Sequence, residues 1–387
     1  MISAIGDTVA ENLAALMNEQ KGLGAITHIP TIHKDTIQVC EIKKTTAQLA
    51  AQLHLPADNN WSRTAMIGAI AAREAVAGID MADGYRTGLI SASTVGGMDM
   101  NEQYHARYQT DPAISRYIKS QDIGNVTHKI ADELGIKGLV TTVSTACSSA
   151  ANAIMLGARL IRTGRLDRVI VGGTDALSKF TINGFKVLMI LSDTATKPFD
   201  NNRTGLNLGE AAAYLVLESD EVVRKQNRKV LACLSGYGNA NDAYHQTASS
   251  ENGDGAYLAM KAAFDSAGLQ PADIDYINVH GTATPNNDLS EGRAVVRIYG
   301  DVQIPDFSST KPYTGHTLAA AAAIEAVYSV LAIGHGVVFP NLNYDTPMAE
   351  FDMVPQTTLK RKSIGHVLSN SFGFGGNCST LIFSKSE

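Results

Sequence analysis

Residues 143–154 read VSTACSSAANAI, and this stretch indicates the fold more directly than any other part of the chain. A strand-like start passes into small and hydroxyl residues, then into an alanine-rich run that predicts a helix up to Thr163, with Cys147 at the turn. A thiol at a helix N-terminus lies at the positive end of the helix dipole, so we expect a lowered pKa for Cys147. The alternative is a buried, inert cysteine, which is the common state of a free cysteine.

Strand-like and helix-like segments alternate on both sides of Cys147. We predict strands at Thr87–Ser91, Gly138–Val143, Arg168–Gly172 and Ala212–Leu217, and helices at Ser62–Ala77, Cys147–Thr163, Gly255–Ala267 and Thr317–Val330. This alternation indicates an α/β fold with buried sheets. We expect RVIVGGTD, residues 168–175, to be a buried strand that ends in a Gly–Gly turn, and residues 364–383 to form two strands around a glycine-rich turn.

The composition of the 387 residues excludes several classes of protein. There are 32 Lys and Arg against 38 Asp and Glu, and the net charge of −6 does not suit a nucleic-acid binder that works by bulk charge. Hydrophobic residues at 44% and charged residues at 18% indicate a globular protein with a sizeable core. The four cysteines lie far apart without a CxxC spacing, so neither a zinc site nor a disulfide framework is indicated.

Two stretches bear on where the protein works. The N-terminal stretch MISAIGDTVAENLAAL lacks the basic start and apolar core of a signal peptide. The longest apolar run, residues 318–338, is interrupted by Glu325 and His335, so we predict a buried helix followed by a strand or loop and no membrane span. We therefore expect a soluble, cytoplasmic protein.

Two histidines stand in stretches that could carry chemistry. His280 ends a predicted strand and opens the polar loop HGTATPNND. In STKPYTGHTLAAAAAIE, residues 309–325, Lys311, His316 and Glu325 lie in and just before a helix. The helix dipole disfavours a protonated imidazole at that position, so we expect a neutral His316 that can donate a hydrogen bond. A hydrogen-bonded structural histidine and a capping or solvent-facing histidine remain the alternatives.

A glycine-rich segment, NSFGFGGN at residues 370–377, completes the set of candidate sites. Its three glycines around Phe374 permit unusual backbone angles, so that N–H groups can point at one spot, although a plain β-turn is the alternative. A thiol, two imidazoles and a glycine-rich loop together are what carbon–carbon bond formation from thioesters requires. A Cys–His protease needs only one histidine, and the second histidine and Lys311 would then be unexplained.

Six motifs give the chain a resemblance to the β-ketoacyl-acyl carrier protein synthases, the elongating condensing enzymes of the thiolase fold. In chain order they are TACSSA around Cys147, PFDNNRTGLNLGEAAAYLVLE from Pro198, DAYHQTASSENGDGA from Asp242, HGTATPNND from His280, STKPYTGH from Ser309 and NSFGFGGN from Asn370. Their order and spacing match the family over nearly the whole chain.

The resemblance implies a role for each matching catalytic residue. Cys147 would carry the acyl group as a thioester. His280 and His316 would bind the malonyl thioester carbonyl and stabilise the enolate after loss of carbon dioxide. Lys311 and Glu325 would form an ion pair that shapes the site.

Further residues receive binding roles from the same resemblance. The backbone N–H groups of Cys147 and Phe374 would form an oxyanion hole, with Phe374 also acting as a gate between the acyl pocket and the malonyl site. Thr282 and Thr284 would hydrogen-bond the phosphopantetheine arm of the substrate. The other predicted substrate-binding residues are Asn101, Phe185 and Phe372.

The implied fold consists of two similar αβαβα halves of the thiolase-like type. Residues 1–230 would carry the nucleophile, and residues 231–387 the two histidines and the glycine-rich loop. The implied activity is an acyltransferase reaction, the decarboxylative condensation of acyl and malonyl thioesters in fatty acid, polyketide or aryl-polyene-type elongation. No cofactor or metal is implied, because decarboxylation generates the carbanion and the substrates arrive on the phosphopantetheine of an acyl carrier protein. The implied partners are that carrier protein and a second subunit, in a homodimer or a ketosynthase heterodimer.

The chain departs from the family pattern in several places. The family has a strand before MISAIGDTV, so we expect either an upstream start or a missing edge strand. Methyl groups replace glycines after Glu210 and His316. Met189 replaces a basic residue that normally faces the carrier protein, although Lys186 nearby could substitute, so carrier choice is open.

Asn101 is the departure that concerns the substrate. It stands where the family usually has an apolar residue, and the resemblance implies that this position lies at the deep end of the acyl channel, near the dimer interface. Asp99 stands where the family often has glycine. A buried amide without a partner costs about 1–3 kcal/mol, so something must satisfy Asn101. That partner is the backbone or the other subunit, or else the channel is adapted to an acyl chain with an aryl or conjugated end.

Three other functions remain as alternatives. A non-catalytic chain-length partner subunit would lack the cysteine that is present at position 147. A thiolase acting on CoA esters uses a second cysteine in a Cys-x-Gly pattern near its C-terminus, which Cys378 does not provide. The third alternative is a cysteine hydrolase.

Overall fold

The computed structural model describes residues 1–386. Its helices are α1 (Val9–Met17), α2 (Thr46–Gln52), α3 (Arg63–Ala75), α4 (Met98–Tyr104), α5 (Ser115–Ile118), α6 (Ile123–Leu134), α7 (Ser149–Arg162), α8 (Lys179–Val187), α9 (Asp220–Gln226), α10 (Asp254–Ala267), α11 (Pro285–Tyr299), α12 (Lys311–Thr314) and α13 (Ala321–His335). Short 3-10 helices span His105–Arg107, Pro112–Ile114, Lys119–Gln121, Pro271–Asp273, Leu318–Ala320 and Phe374–Gly376. The strands are β1 (Gly24–Ala25), β2 (Gln38–Val39), β3 (Thr87–Ala92), β4 (Val140–Val143), β5 (Arg168–Asp175), β6 (Ala211–Glu218), β7 (Cys233–Asn241), β8 (Tyr276–Asn278), β9 (Asp306–Ser308), β10 (Val337–Val338), β11 (Lys360–Arg361), β12 (His366–Phe372) and β13 (Asn377–Ser384).

Two sheets of the same design form the body of the protein. The first has the order β4-β3-β5-β6, in which β6 is antiparallel to β5 and the other neighbours are parallel. The second has the order β9-β8-β12-β13-β7, again with three parallel strands followed by antiparallel ones. In the first sheet, Ile2 forms a single antiparallel bridge to Ala212 on β6. This bridge corresponds to the pairing of β7 with β13 in the second sheet. The predicted duplication is therefore confirmed, and the predicted boundary at residue 230, which falls between the two sheets, stays a prediction.

The helices form three layers around the two sheets. Helices α7 and α13 lie between the sheets, α3 and α6 cover the outer face of the first sheet, and α10 and α11 cover the second. The segment Leu318–His335 is long and apolar enough to cross a membrane, but 78% of it is buried inside the fold. It continues into β10, so the predicted buried helix followed by a strand is confirmed.

The predicted Gly–Gly turn is wrong. Strand β5 continues through Gly172 and Gly173 to Asp175, paired with β6 along its whole length. A Cβ atom on Gly172 would overlap the carbonyl oxygen of Ala213, and one on Gly173 would lie 2.9 Å from the carbonyl oxygen of Ala319. The two glycines are therefore explained by the close approach of neighbouring backbone, a tertiary cause that the sequence pattern does not reveal.

Candidate active site

Cys147 lies in a tight turn between β4 and α7. Ala146 adopts a left-handed conformation with φ of 53°, a conformation in which alanine is uncommon. Hydroxyl groups fix the turn, since Ser149 Oγ accepts from the Thr145 N–H at 2.8 Å and Ser148 Oγ donates to the Thr145 carbonyl at 2.7 Å. The predicted strand–turn–helix is present, with the helix starting at Ser149.

The expected fall in the pKa of Cys147 is not found. Burial raises the pKa of the thiol to about 11, although the Lys311 ammonium and the backbone N–H groups of Phe374 and Cys147 act in the opposite direction. The side chain is only 7% exposed, so the loss of water around the thiolate outweighs the favourable charges. The resting protein therefore holds a thiol at neutral pH, and its proton must leave during the reaction.

The glycine-rich segment folds against the Cys147 turn. The backbone N–H groups of Phe374 and Cys147 act to lower the pKa of the Cys147 thiol, so both lie close to its sulfur. Gly375 and Gly376 have φ values of 80° and 81°, which the turn requires. A Cβ atom on Gly373 would lie 2.8 Å from the carbonyl oxygen of Thr145, so only glycine permits this approach without displacement. Two backbone donors thus converge on one point, as an oxyanion hole needs.

His316 is held in one tautomer by the backbone that follows it. The Leu318 N–H donates to His316 Nδ1 at 3.0 Å, and Leu318 has a left-handed φ of 53°. Because Nδ1 accepts this hydrogen bond, the ring proton of a neutral His316 resides on Nε2. Burial, with the Lys311 charge second, lowers the pKa of His316 to about 3. The predicted neutral donor is therefore present, but burial is the main cause.

His280 has the same arrangement. Lys311 Nζ lies 3.4 Å from His280 Nδ1, and since an ammonium can only donate, the ring proton of His280 resides on Nε2. Burial, followed by the charges of Lys311 and His316, lowers the pKa of His280 well below its usual range. The two imidazole rings are perpendicular, with centroids 5.5 Å apart. The site therefore holds two neutral imidazoles side by side.

Lys311 connects these groups. Its ammonium forms a buried ion pair with Glu325 and also donates to the carbonyl of His280. Its charge acts on Cys147, His280 and His316, which places all three around one cation. The structure thus brings together the predicted thiol, both histidines and the ion pair.

Two buried acids support the site, and sequence reasoning missed both. Glu291 accepts from the N–H groups of His280 and Gly281, each at 2.8 Å, and from the Asn370 amide at 3.1 Å. Asp175 accepts from the N–H of Ala319 at 2.9 Å, just after His316. The sequence does place Glu291 shortly after the HGTATPNND loop, on the helix that follows it. For Asp175 the sequence indicates only the end of a strand.

The remaining predicted binding residues lie at different depths. Phe185 on α8 stacks on Phe374 with ring centroids 6.0 Å apart, and the Phe372 ring is 5.7 Å from that of His280. The hydroxyl groups of Thr282 and Thr284 are 3.0 Å apart, and Thr284 also caps α11. These positions suit a gate and an arm-binding loop, although their roles stay predictions.

Asn101 lies on α4, away from the imidazoles. Its side chain is half-buried and makes no hydrogen bond to any residue between 1 and 386. The neighbouring Asp99 carboxylate accepts from the Arg63 N–H at 2.8 Å through Oδ2, while its buried Oδ1 has no partner in the same range. The place of Asn101 in the acyl channel stays a prediction.

The geometry supports thioester chemistry. One buried thiol faces two backbone donors, and two neutral imidazoles with ring centroids 5.5 Å apart lie around the same Lys311 ammonium as the thiol. Such an arrangement can stabilise two separate oxyanions, one on an acyl group bound to sulfur and one on a second thioester. Within residues 1–386, no three His, Cys, Asp or Glu side chains converge in a way that could hold a metal ion.

Comparison with known proteins agrees with this chemistry. Residues 51–222 match the beta-ketoacyl synthase N-terminal domain, and residues 231–345 match the beta-ketoacyl synthase C-terminal domain. A 3-oxoacyl-[acyl-carrier-protein] synthase 2 from Staphylococcus aureus (strain N315) is 34% identical over 402 residues, which cover 100% of this chain and 96% of that protein.

Two solved structures are similar over the whole chain. The ishigamide ketosynthase/chain length factor is 33% identical, with a TM-score of 0.91, and the match covers 100% of this chain and 97% of that one. A ketosynthase bound to the hexaketide, solved in complex with its type II PKS acyl-carrier protein, gives 26% identity and a TM-score of 0.88, with the same coverage.

Proposed function

The chain belongs to the β-ketoacyl synthase family, and from that premise we propose how its residues divide the work of a decarboxylative condensation. The family and its 3-oxoacyl-[acyl-carrier-protein] synthase relatives make the protein a condensing enzyme of the acyltransferase class, joining an acyl and a malonyl thioester. Our proposal assigns the acyl group to Cys147 and the malonyl group to His280 and His316.

In the first half-reaction, the Cys147 sulfur attacks the carbonyl carbon of an acyl thioester. The N–H groups of Cys147 and Phe374 stabilise the oxyanion that forms, a contribution of about 3–4 kcal/mol in comparable sites. The carbon–sulfur bond to the carrier then breaks, and the proton of the Cys147 thiol ends on the departing carrier thiol. Because Nδ1 of each histidine is already an acceptor and Nε2 carries a proton, neither imidazole has a free lone pair for that proton in its resting tautomer.

In the second half-reaction, the Nε2–H groups of His280 and His316 donate to the carbonyl oxygen of a malonyl thioester. The carboxylate leaves as carbon dioxide, and its bonding electrons form an enolate whose oxygen keeps both hydrogen bonds. The enolate carbon attacks the acyl carbonyl on Cys147, the carbon–sulfur bond breaks, and the released thiolate takes a proton from solvent. The product is a β-ketoacyl thioester.

One observation carries this division of labour. Both histidines are buried and neutral, and in each the Nδ1 atom is occupied by a donor, Leu318 N–H or Lys311 Nζ. Two donors aimed at one oxygen stabilise an enolate better than its uncharged precursor, so they act on the transition state of decarboxylation. A hydrolase would need an imidazole free to accept a proton from Cys147 or water.

A Cys147→Ala variant tests the proposal. We expect it to lose condensation completely while carbon dioxide is still released from malonyl carrier protein, because the thiol does not bind the malonyl carbonyl. The Cys233→Ala variant, at an exposed cysteine remote from the two histidines, serves as the control and should retain both activities. Loss of carbon dioxide release in a folded Cys147→Ala variant would contradict the separation of roles.

We further propose that both substrates arrive on the phosphopantetheine of an acyl carrier protein, with no other cofactor, and that the reaction takes place in the cytoplasm. Carrier-bound substrates are supported by the names of the relatives and by the similarity to a ketosynthase in complex with its carrier protein. The buried thiol, reached beside Phe185 and Phe374, suits a substrate on a long flexible arm.

A second subunit is also part of the proposal. Strand β4 is an edge strand of the first sheet, its residues are half-exposed, and Leu139 before it is exposed. An unpaired edge that leads directly into the nucleophile invites pairing with another chain. A copy of this chain would make a homodimer, and the similarity to a ketosynthase/chain length factor supports a heterodimer.

Sedimentation of the chain purified alone separates these two partners. A species of twice the 41.1 kDa chain mass with full condensation activity indicates the homodimer. An inactive monomer that gains activity with a second ketosynthase-like chain indicates the heterodimer. A fully active monomer would contradict the need for any second subunit.

A further inference from the structure

Asp175 is a buried carboxylate that the proposed mechanism does not use. It ends β5, and its side chain is fully buried. Five groups donate to its two oxygens: the hydroxyl of Ser93 at 2.7 Å, the N–H and the hydroxyl of Thr94 at 3.0 and 2.6 Å, the N–H of Val95 at 3.1 Å and the N–H of Ala319 at 2.9 Å. Burial raises the pKa of Asp175, and these hydrogen bonds oppose the rise. A buried carboxylate with this many donors holds together the segments that supply them.

The donors belong to two segments that are far apart in the chain. Residues 93–95 follow β3, and Ala319 is the third residue after His316. Strand β3 is a parallel neighbour of both β4 and β5, and Cys147 follows β4, so the same edge of the first sheet carries Asp175 and the nucleophile. From this edge the Asp175 carboxylate reaches the segment that contains His316.

The turn after His316 depends on contacts from outside itself. Leu318 has a left-handed φ of 53°, which is uncommon for leucine, and its N–H donates to His316 Nδ1 at 3.0 Å. The short 3-10 helix that begins at Leu318 has no side-chain hydrogen bond at its N-cap, Thr317. Uncommon backbone conformations persist only where the surrounding structure fixes them. The hydrogen bond from the Ala319 N–H to Asp175 fixes the peptide group directly after Leu318 and so supplies such a constraint.

We propose that Asp175 is a positioning residue for decarboxylation, because it holds the turn in which the Leu318 N–H occupies His316 Nδ1. With Nδ1 occupied, the ring proton stays on Nε2, where the proposed function needs a donor to the malonyl carbonyl. This inference rests on the proposed function, since it requires His316 to bind the malonyl thioester. Because Asp175 acts through His316, its loss should slow carbon dioxide release without changing the acylation of Cys147.

The Asp175→Asn variant tests this role with little change in side-chain shape. Each oxygen of Asp175 accepts from a backbone N–H, so the NH2 group of an asparagine faces a donor in either orientation. We expect the turn to loosen and kcat for carbon dioxide release from malonyl carrier protein to fall about 10- to 100-fold, as for other groups that orient a catalytic imidazole. KM and the rate of Cys147 acylation by an acyl thioester should stay within about twofold of the wild type.

A spectroscopic readout separates positioning from a purely structural role. In protein labelled with ¹⁵N at histidine, the shifts of the two ring nitrogens show which one carries the proton, and His316→Ala identifies the signals of His316. The wild type should carry the proton on Nε2 alone, whereas Asp175→Asn should show a mixture of the two tautomers. A folded Asp175→Asn variant with slow decarboxylation but an unchanged tautomer would overturn the proposal.

Two matched variants control for the loss of a hydrogen bond elsewhere. Thr94→Val removes a hydroxyl that donates to the same Asp175 oxygen as the Ala319 N–H, but it keeps the Ala319 contact. Asp275→Asn changes a carboxylate that accepts from two backbone N–H groups just before β8, at the opposite end of that strand from His280. Both variants should leave the tautomer of His316 and the rate of carbon dioxide release unchanged.

Thr94→Val also keeps the proposal falsifiable if Asp175→Asn does not fold. Slow carbon dioxide release in Thr94→Val, with the His316 proton still on Nε2, would overturn the proposal, because the segment after β3 would then carry the effect. A wild-type His316 with its proton on Nδ1 would overturn it as well. A wild type that has the Nε2 tautomer but releases no carbon dioxide from malonyl carrier protein would instead contradict the proposed function.

Discussion

Replacing Lys311 by methionine removes the ammonium that helps to keep His280 neutral, while the side chain keeps its approximate length. Lys311 Nζ lies 3.4 Å from His280 Nδ1. Two unit charges at this distance repel by about 5 kcal/mol at an effective dielectric constant of about 20. Burial of His280, the larger cause of its lowered pKa, remains in the variant. We therefore expect the pKa of His280 to be higher in the variant than in the wild type.

The assay is the pH dependence of carbon dioxide release from malonyl carrier protein. A protonated His280 would still donate through Nε2, but its positive charge would stabilise the malonyl carboxylate that has to leave as carbon dioxide, so we expect activity to fall when the ring protonates. Because the wild-type pKa lies well below 6.5, its activity should persist into acidic buffer, and the acid limb of the Lys311→Met variant should move to higher pH. An acid limb at the same pH in both proteins would refute the role of Lys311.

Glu325, which loses its ion-pair partner in the Lys311→Met variant, provides the control. An unpaired Glu325 carboxylate in the core costs about 3–5 kcal/mol, so Lys311→Met should also lower the melting temperature. The carboxylate would in addition stabilise a protonated His280. The Lys311→Met/Glu325→Gln variant removes both charges, so its acid limb should lie between those of the wild type and the single variant. This second variant keeps the test valid if the first does not fold.

Three other substitutions have distinct expected outcomes. His316→Ala should stop decarboxylation yet leave Cys147 able to accept an acyl group, which intact mass can follow; a variant that decarboxylates but does not acylate would show that the roles are reversed. Burial raises the pKa of Glu291 from 4.5 to about 7, so the folded protein binds a proton more readily than the unfolded chain, and stability from this group is lost as pH rises between those values. Denaturant titrations near pH 5 and pH 8 should show this loss in the wild type, about 3 kcal/mol at most, and a smaller one in Glu291→Gln; equal losses would contradict the assignment. Asn101→Ile should shift the substrate preference from aryl or polyenoyl acyl groups towards long saturated chains. A wild type that already prefers saturated chains, with no change in the variant, would contradict the hypothesis that the channel is adapted to an aryl or conjugated acyl end.

Much of the site could be predicted because its residues stand in compact motifs at strand ends and helix starts. Cys147, His280, His316 and the Lys311–Glu325 pair are far apart in sequence, yet each motif contains its own turn geometry, and the fold brings the motifs together around Lys311. Residue type and local spacing were enough to name them.

Other features depend on packing that no local pattern contains. The raised pKa of Cys147 results from burial by several elements, so the helix dipole alone gave the wrong sign. Glu291 and Asp175 accept hydrogen bonds from backbone N–H groups of segments that are distant in sequence. The Gly172–Gly173 pair is explained by the close approach of neighbouring backbone. The strands themselves were predicted because their apolar runs are local.

Intact mass spectrometry of the chain, mixed first with acyl carrier protein thioester and then with malonyl carrier protein, tests Cys147 as the acyl acceptor most directly. We predict a mass increase equal to one acyl group, located on the peptide that contains Cys147, that persists in buffer. Addition of malonyl carrier protein should remove it and yield one carbon dioxide and one β-ketoacyl carrier protein for each adduct lost. Absence of the adduct on Cys147, or its release by water without the malonyl partner, would contradict the proposed function.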